Sequence, residues 1–288
     1  MKVLLLAAAL GLAAFTAAAQ RDFSQVEIKV VPVAANIHML EGAGGNIGVL
    51  TGDDGVLIVD TQFAPLAPKI EAALKRLSAG KLQFVLNTHW HGDHTGGNAF
   101  FGTNAHVVAH ENVRTRLLGA NPPAAASALP DITFKDGALS LHFNGEEIRV
   151  IPLPPGHTDG DALVWFRTSN VIHLGDQFFR DRFPFVDLGS GGDVAGYISN
   201  VETALALIPS DAKVIPGHGA LASVDDLKNF LAMLKETTGL VRDAIAAGKS
   251  LDDVKAAGLP EKWKDWGTGF INTGRWLEMT YNSFTAKR

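Results

Sequence analysis

A chain of 288 residues, 47% of them hydrophobic, can bury a sizeable core and has room for one or two domains. Its formal charge of −5 argues against a surface that gathers polyanions, so no nucleic-acid partner is expected. With no cysteine there are no disulfides, no thiolate metal ligands and no lipid-anchored cysteine.

Residues 1–19 read as a secretory leader. Lys2 gives a positive start, 3–14 an apolar stretch, and Ala17-Ala18-Ala19 a small-residue cleavage site. Cleavage is expected after Ala19, and the run is too short and alanine-rich for a stable membrane span. The expectation is a periplasmic or secreted protein with no stable membrane anchor, its residues 20–288 forming one domain.

Strand signals come at 37–40, 47–51 and 56–60, the last two joined by Gly52-Asp53-Asp54-Gly55 as a hairpin turn. Between the first two lies Gly42-Ala43-Gly44-Gly45-Asn46, which no helix follows, so it is not a nucleotide-binding loop; a mobile hairpin is expected there. Helical periodicity covers 65–78, with a proline near its start and Gly80 beyond its end. Further strands are expected at 84–87, 106–109, 139–143, 148–153, 162–167, 171–174 and 213–215, with helices at 194–208 and 225–247. Strand-rich halves each closed by helices suggest two sheets packed face to face with helices outside. Trp263, Trp266, Phe270 and Trp276 are expected to pack a C-terminal helix onto that body.

One segment stands apart chemically. His89-Trp90-His91-Gly92-Asp93-His94 gathers three imidazoles and a carboxylate directly behind an apolar strand, although only 10 residues of the chain are histidine. Those are ligands that zinc, iron and manganese accept. His89 and His91 share a face of an extended segment, while Asp93 and His94 lie on the turn beyond. Downstream, His157, Asp176 and His218 each follow a β-rich stretch and are flanked by glycine, which lets a short loop aim the side chain. The other histidines, 38, 106, 110, 142 and 173, lack partners at ligand spacing and read as surface or capped core residues.

His-x-His-x-Asp-His, then Gly-His-Thr, Gly-Asp and Pro-Gly-His-Gly, together with the aspartate of Val56-Leu57-Ile58-Val59-Asp60-Thr61, resemble the metallo-β-lactamase superfamily across residues 36–220. The resemblance implies an α+β fold, a four-layer αββα sandwich with its site along one sheet edge. It implies two zinc ions per chain: His89, His91 and His157 on one, Asp93, His94 and His218 on the other, Asp176 bridging. It further implies that Asp60 supports the site from behind; Asp161 is a second candidate to hold a ligand imidazole in one tautomer. Asn46, Phe179 and Arg180 are candidate substrate contacts, the last as a guanidinium for a substrate carboxylate.

The implied activity is hydrolysis of a small molecule by a monomer, a metal-bridging hydroxide attacking a carbonyl while Asp93 orients it and relays its proton. A β-lactam-type cyclic amide is slightly favoured, with lactone or ester, thioester and phosphodiester hydrolysis as alternatives. An aspartate at 176 tells against efficient β-lactam turnover, since the lactamase branches usually carry cysteine or serine there. A glutathione-thioester hydrolase would carry a basic C-terminal patch and work in the cytosol, a poor match to this sequence. The competing class is a non-catalytic zinc-binding protein, for which seven ligands are excessive.

Overall fold

The structure is a computed structural model that describes residues 22–286; the leader assigned to residues 1–19 lies outside the described residues. The first sheet holds β1 (Lys29–Ala34), β2 (Ile37–Glu41), β3 (Ile47–Gly52), β4 (Gly55–Val59), β5 (Leu82–Leu86), β6 (His106–His110) and β7 (Ile132–Phe134), in that spatial order. The second holds β8 (Leu139–Phe143), β9 (Glu146–Pro152), β10 (Ala162–Phe166), β11 (Val171–His173), β12 (Lys213–Ile215) and β13 (Ala222–Ser223). Helix α1 (Ala67–Leu77) covers the first sheet; α2 (Gly92–Thr95) and α3 (Asn98–Phe101) are single turns behind β5, and α4 (Glu111–Gly119) follows β6. After β11 come α5 (Val194–Leu207), α6 (Val224–Ala246), α7 (Leu251–Ala257) and α8 (Thr273–Thr285).

The layers follow from strand alternation. In β4, Val56 and Ile58 pack with Ile70 and Leu74 of α1, while Leu57 and Val59 face the other way, toward Val150 and Val164 of the second sheet. In β10, Val164 and Phe166 join that inter-sheet core, and Leu163 packs outward against Tyr197, Leu234 and Trp276 of the helical layer. Helix, sheet, sheet, helix is the expected αββα sandwich. Strands buried on both faces read as continuous apolar runs, which is why β4 is wholly buried. Truncating Leu57 to alanine would cost about 2–5 kcal/mol, the range for emptying such a position.

Gly52 and Gly55 pair across the β3–β4 turn as the hairpin reading requires. The strands at 29–34, 132–134 and 222–223 and the helices α4 and α7 add to the expected elements, while α8 is the C-terminal helix that was expected. Trp263 and Trp266 lie buried on a 3₁₀ segment before α8, and Trp276 Nε1 donates to Thr237 Oγ1 of α6 at 3.0 Å. Phe270 departs from the expected packing role: it is 75% exposed. Among the described residues no helix is long and apolar enough to cross a membrane.

Candidate metal centre

Strand ends build the centre. β4 ends into Asp60, β5 into the bend carrying His89 and His91, β9 into the His157 loop, β11 into Asp176 and β12 into His218. A bend, not the extended run expected, brings His89 and His91 together, their ring centroids 4.8 Å apart. Asp93 and His94 ride on α2, whose first turn closes through His94 N–H to His91 O at 2.9 Å. At two points neighbouring segments approach so closely that only glycine fits. A Cβ on Gly45 would stand 2.1 Å from His94 Cε1, and one on Gly217 would stand 2.1 Å from Asp176 Oδ1.

The seven candidate ligands form two sets, His89, His91, His157 and Asp176, and Asp93, His94 and His218. Each set offers ligand atoms lying within 4.8 Å of one another. Asp176 stands between the sets. Its Oδ2 is 3.4 Å from His157 Nε2 and 3.9 Å from His89 Nε2, whereas Oδ1 is 3.1 Å from His94 Nε2 and 3.3 Å from His218 Nε2. Asp93 Oδ2 closes the second set at 3.4 Å from His218 Nε2.

Hydrogen bonds behind the rings decide which nitrogen is offered. His157 Nδ1 lies 2.7 Å from Phe185 O, a pure acceptor, so Nδ1 carries the proton and Nε2 points inward as a lone pair. His94 Nδ1 donates to Asp60 Oδ2 at 2.7 Å and His91 Nε2 to Asp187 Oδ2 at 2.9 Å. Thr88 Oγ1 gives its own proton to Asp60, so at 3.0 Å it accepts from His89 Nδ1. With every ring neutral, as a metal requires, four lone pairs therefore converge, and those of His157 Nε2 and His91 Nδ1 face each other at 2.8 Å. That arrangement is repulsive unless a cation or a proton lies between. His89 Nε2 is buried and has no hydrogen-bond partner among the described residues. The donor set suits a divalent metal, zinc included.

The electrostatics agree. Burial holds His89 well below the usual histidine range, with the His94 and His157 imidazoles adding to it, and burial brings His157 to about 4. Burial also opposes a charge on Asp176, yet His218, His94 and His157 outweigh it and keep its carboxyl well below the usual range. At His94 burial works against protonation, but the carboxylates of Asp176, Asp93 and Asp60 raise its pKa well above normal. This field draws positive charge into a buried place. Tyr197, kept protonated by burial, donates to Asp176 O at 2.7 Å and fixes the shared aspartate from behind.

A family model described as the metallo-beta-lactamase superfamily matches residues 40–219, more than half of the chain. The chain belongs to that superfamily. Among curated members it is 30% identical to the hydroxyacylglutathione hydrolase of Nitrosococcus oceani over 54% of this chain and 55% of that protein, so it spans little more than half of that relative's length. To the hydroxyacylglutathione hydrolase of Rhodopseudomonas palustris it is 28% identical over 79% of this chain and 81% of the relative. The DIM-1 metallo-beta-lactamase shares the fold at a TM-score of 0.63 and 21% identity, over 73% of this chain and 99% of its own. A variant of the sec-alkyl sulfatase PisA1 shares it at 0.73 and 14% identity, over 90% of this chain and 50% of its own.

In this metallo-beta-lactamase superfamily chain a cavity of about 840 Å³ opens above the centre, with His91, Asp93, Asp176 and His218 at its floor. Phe179, a candidate substrate contact, lines it and stacks on the His218 ring at 5.0 Å. Asn46 does not line it: its side chain is buried, donating to Pro216 O at 2.9 Å and Gly219 O at 2.8 Å. That loop is fastened rather than free, with Gly45 N–H on Asp93 O at 3.0 Å and Gln62 Nε2 on Gly45 O at 2.8 Å.

Arg180 is a second correction. Its guanidinium turns away from the cavity to Leu221 O and, at 3.3 Å, Asp226 of α6. Arg182 takes the cavity position instead, because Asp181 between them adopts a left-handed backbone with φ 55° and breaks the strand-like alternation.

Asp60 supports the site as the resemblance implied, accepting from His94 Nδ1, Thr88 N and Thr88 Oγ1. These three bonds hold a buried residue at φ 68°, a conformation aspartate tolerates better than most. Asp161 touches no ligand ring. Its carboxylate accepts from Thr158 N at 2.9 Å, Thr158 Oγ1 at 2.5 Å and Gln177 Nε2 at 2.7 Å, shaping the loop that carries His157, and burial pushes its pKa to about 7. The ring-holding role belongs to Asp187, which sequence reasoning missed. No motif marks it; only the fold brings it to His91.

Proposed function

We propose that this chain is a metal-dependent hydrolase that splits an acyl bond with water, a thioester or ester carbonyl being its substrate group. The observation that carries the reading is Asp176, one carboxylate oxygen facing each ligand set. His89, His91 and His157 would hold one ion and Asp93, His94 and His218 the other, zinc in both cases, with Asp176 shared. A zinc ion held there supplies Lewis acidity and a water whose pKa falls to about 7. Asp93 lines the cavity and is only partly buried, the right place to orient a water, take its proton and pass it to the departing group. The aromatic walls limit competing water, and Tyr197 and Asp187 keep the centre's geometry fixed.

Relatives named hydroxyacylglutathione hydrolase support acyl-thioester chemistry, and the aspartate at 176 points the same way. A β-lactam-type cyclic amide stays as the second reading, favoured by one specific observation: Arg182 in the cavity wall suits the carboxylate that β-lactams carry. Metal-loaded protein assayed side by side on acyl thioesters, aryl esters, lactones, a chromogenic cephalosporin and a phosphodiester tests both. Thioester or ester cleavage should lead by at least tenfold in kcat/KM. A leading cephalosporin rate would move the assignment to the second reading, and a leading phosphodiester rate would defeat both.

The leader pattern at 1–19 supports export, and the chain is taken to act as a monomer. Amino-terminal sequencing of periplasmic protein should begin at Gln20, and sedimentation should give a single-chain mass.

A further inference from the structure

We propose that Arg182 is the specificity-determining residue of this site. It would receive the single anionic group of an otherwise apolar substrate large enough to hold an aromatic ring. This rests on the hydrolase reading above and narrows its substrate class.

The cavity has the size of small-molecule sites, and its makeup is uneven. Above the ligand floor its walls are Phe63, Phe179, Phe183, Phe185, Phe270 and Ile271. Arg182 is the one cationic side chain lining it. The half-buried guanidinium gives its Nε to Arg180 O at 3.3 Å, and its stem passes over Gly269, where a Cβ would meet Arg182 Cδ at 3.6 Å. Among the described residues no carboxylate pairs with it, whereas nearby arginines are engaged. Arg116 holds Asp159 through two bonds of 2.7 Å, and Arg180 reaches Asp226. A guanidinium that lines a phenyl-walled cavity with no anion of its own leaves its planar fork free for a carboxylate, sulfonate or phosphate oxygen pair.

The count of charges is itself selective. One cation matches one anion. A glutathione conjugate brings two carboxylates and an ammonium, and the walls offer no partner for the second carboxylate or the ammonium. The phenyl rings favour an apolar body, and the exposed Phe270, edge-on to Phe185 at 6.3 Å, extends the apolar wall toward solvent.

The test is calorimetric binding of phenylvalerate and its neutral isostere phenylvaleramide to the zinc-loaded protein and to its Arg182→Gln and Arg182→Lys variants. The wild type should bind the acid about 10- to 100-fold tighter than the amide. Arg182→Gln should bring the ratio close to one by weakening the acid alone, and Arg182→Lys should recover part of it. Equal binding by the wild type overturns the proposal. So does a preference that survives Arg182→Gln, since it places the anion on the metal centre. In parallel, nitrophenyl glutarate should be cleaved with a lower KM than nitrophenyl valerate in the wild type only; equal KM values overturn the substrate class. If neither ester is cleaved while the binding ratio and its loss hold, the hydrolase reading falls and Arg182 stands as the anion receptor.

Discussion

Asp187 Oδ2 lies 2.9 Å from Nε2 of His91, and this contact turns the other ring nitrogen toward the candidate metal position. Asp187 is itself held by the backbone N–H of Ser190 at 3.1 Å. Its carboxyl is buried enough to raise its pKa, but the bonds from Ser190 and His91 outweigh that and hold it below the usual range. Asp187→Ala should therefore loosen metal at the His89, His91 and His157 set by roughly 10- to 100-fold, the range for removing a partner behind a ligand. Chelator competition measures it. Unchanged affinity would remove Asp187 from the centre.

Asp60 predicts a stability effect. Asp60→Ala strands Thr88 N, Thr88 Oγ1 and His94 Nδ1 inside the protein, so metal-free protein should lose about 3–5 kcal/mol. Urea denaturation reads this directly; a loss below about 1 kcal/mol would contradict the three-bond account.

How much of this was legible in the sequence differs by residue. The ligands were visible because they sit in short glycine-flanked loops behind apolar strands, so spacing along the chain tracks position in space. Layering was visible too, since Val56-Leu57-Ile58-Val59 alternates between two cores and must be covered on both faces. Asp187 was invisible because it lies in an irregular stretch where no periodicity fixes a side chain's direction. For the same reason Arg180 was expected in the cavity that Arg182 lines. The direction of Arg180 depends on Asp226, 46 residues away, and on the left-handed Asp181 between the two arginines. Asp161 failed because its own loop consumes its carboxylate as a local clamp on Thr158, and Asn46 because its amide is spent on the backbone at Pro216 and Gly219, some 170 residues away.

The two arginines separate in a simple experiment. Arg180→Ala should cost about 1 kcal/mol through its partly exposed pair with Asp226 and leave KM unchanged. A several-fold rise in KM would return Arg180 to the substrate list.

His173, buried between the two sheets, predicts a pH effect. It donates Nε2–H to Asn46 O at 3.1 Å and accepts from Gly175 N at 3.1 Å, and burial lowers its pKa to about 4. The unfolded chain, with an imidazole near 6.5, then binds more protons than the folded one between these values. Its stabilising contribution is complete above pH 6.5 and drains as pH falls to 4, a loss on the order of 3 kcal/mol. The advantage of wild type over His173→Asn, measured on metal-free protein, should shrink over that interval. A constant gap would mean that His173 titrates normally.

The central claim is a two-ion centre shared by Asp176, and metal content by mass spectrometry tests it most directly. Wild-type protein purified without chelator should carry about two zinc ions per chain, the number a shared-carboxylate site holds. Asp176→Ala should drop toward one, with turnover falling far more than stability. A reproducible single iron in the wild type, or an Asp176→Ala variant with undiminished zinc and rate, would contradict the account.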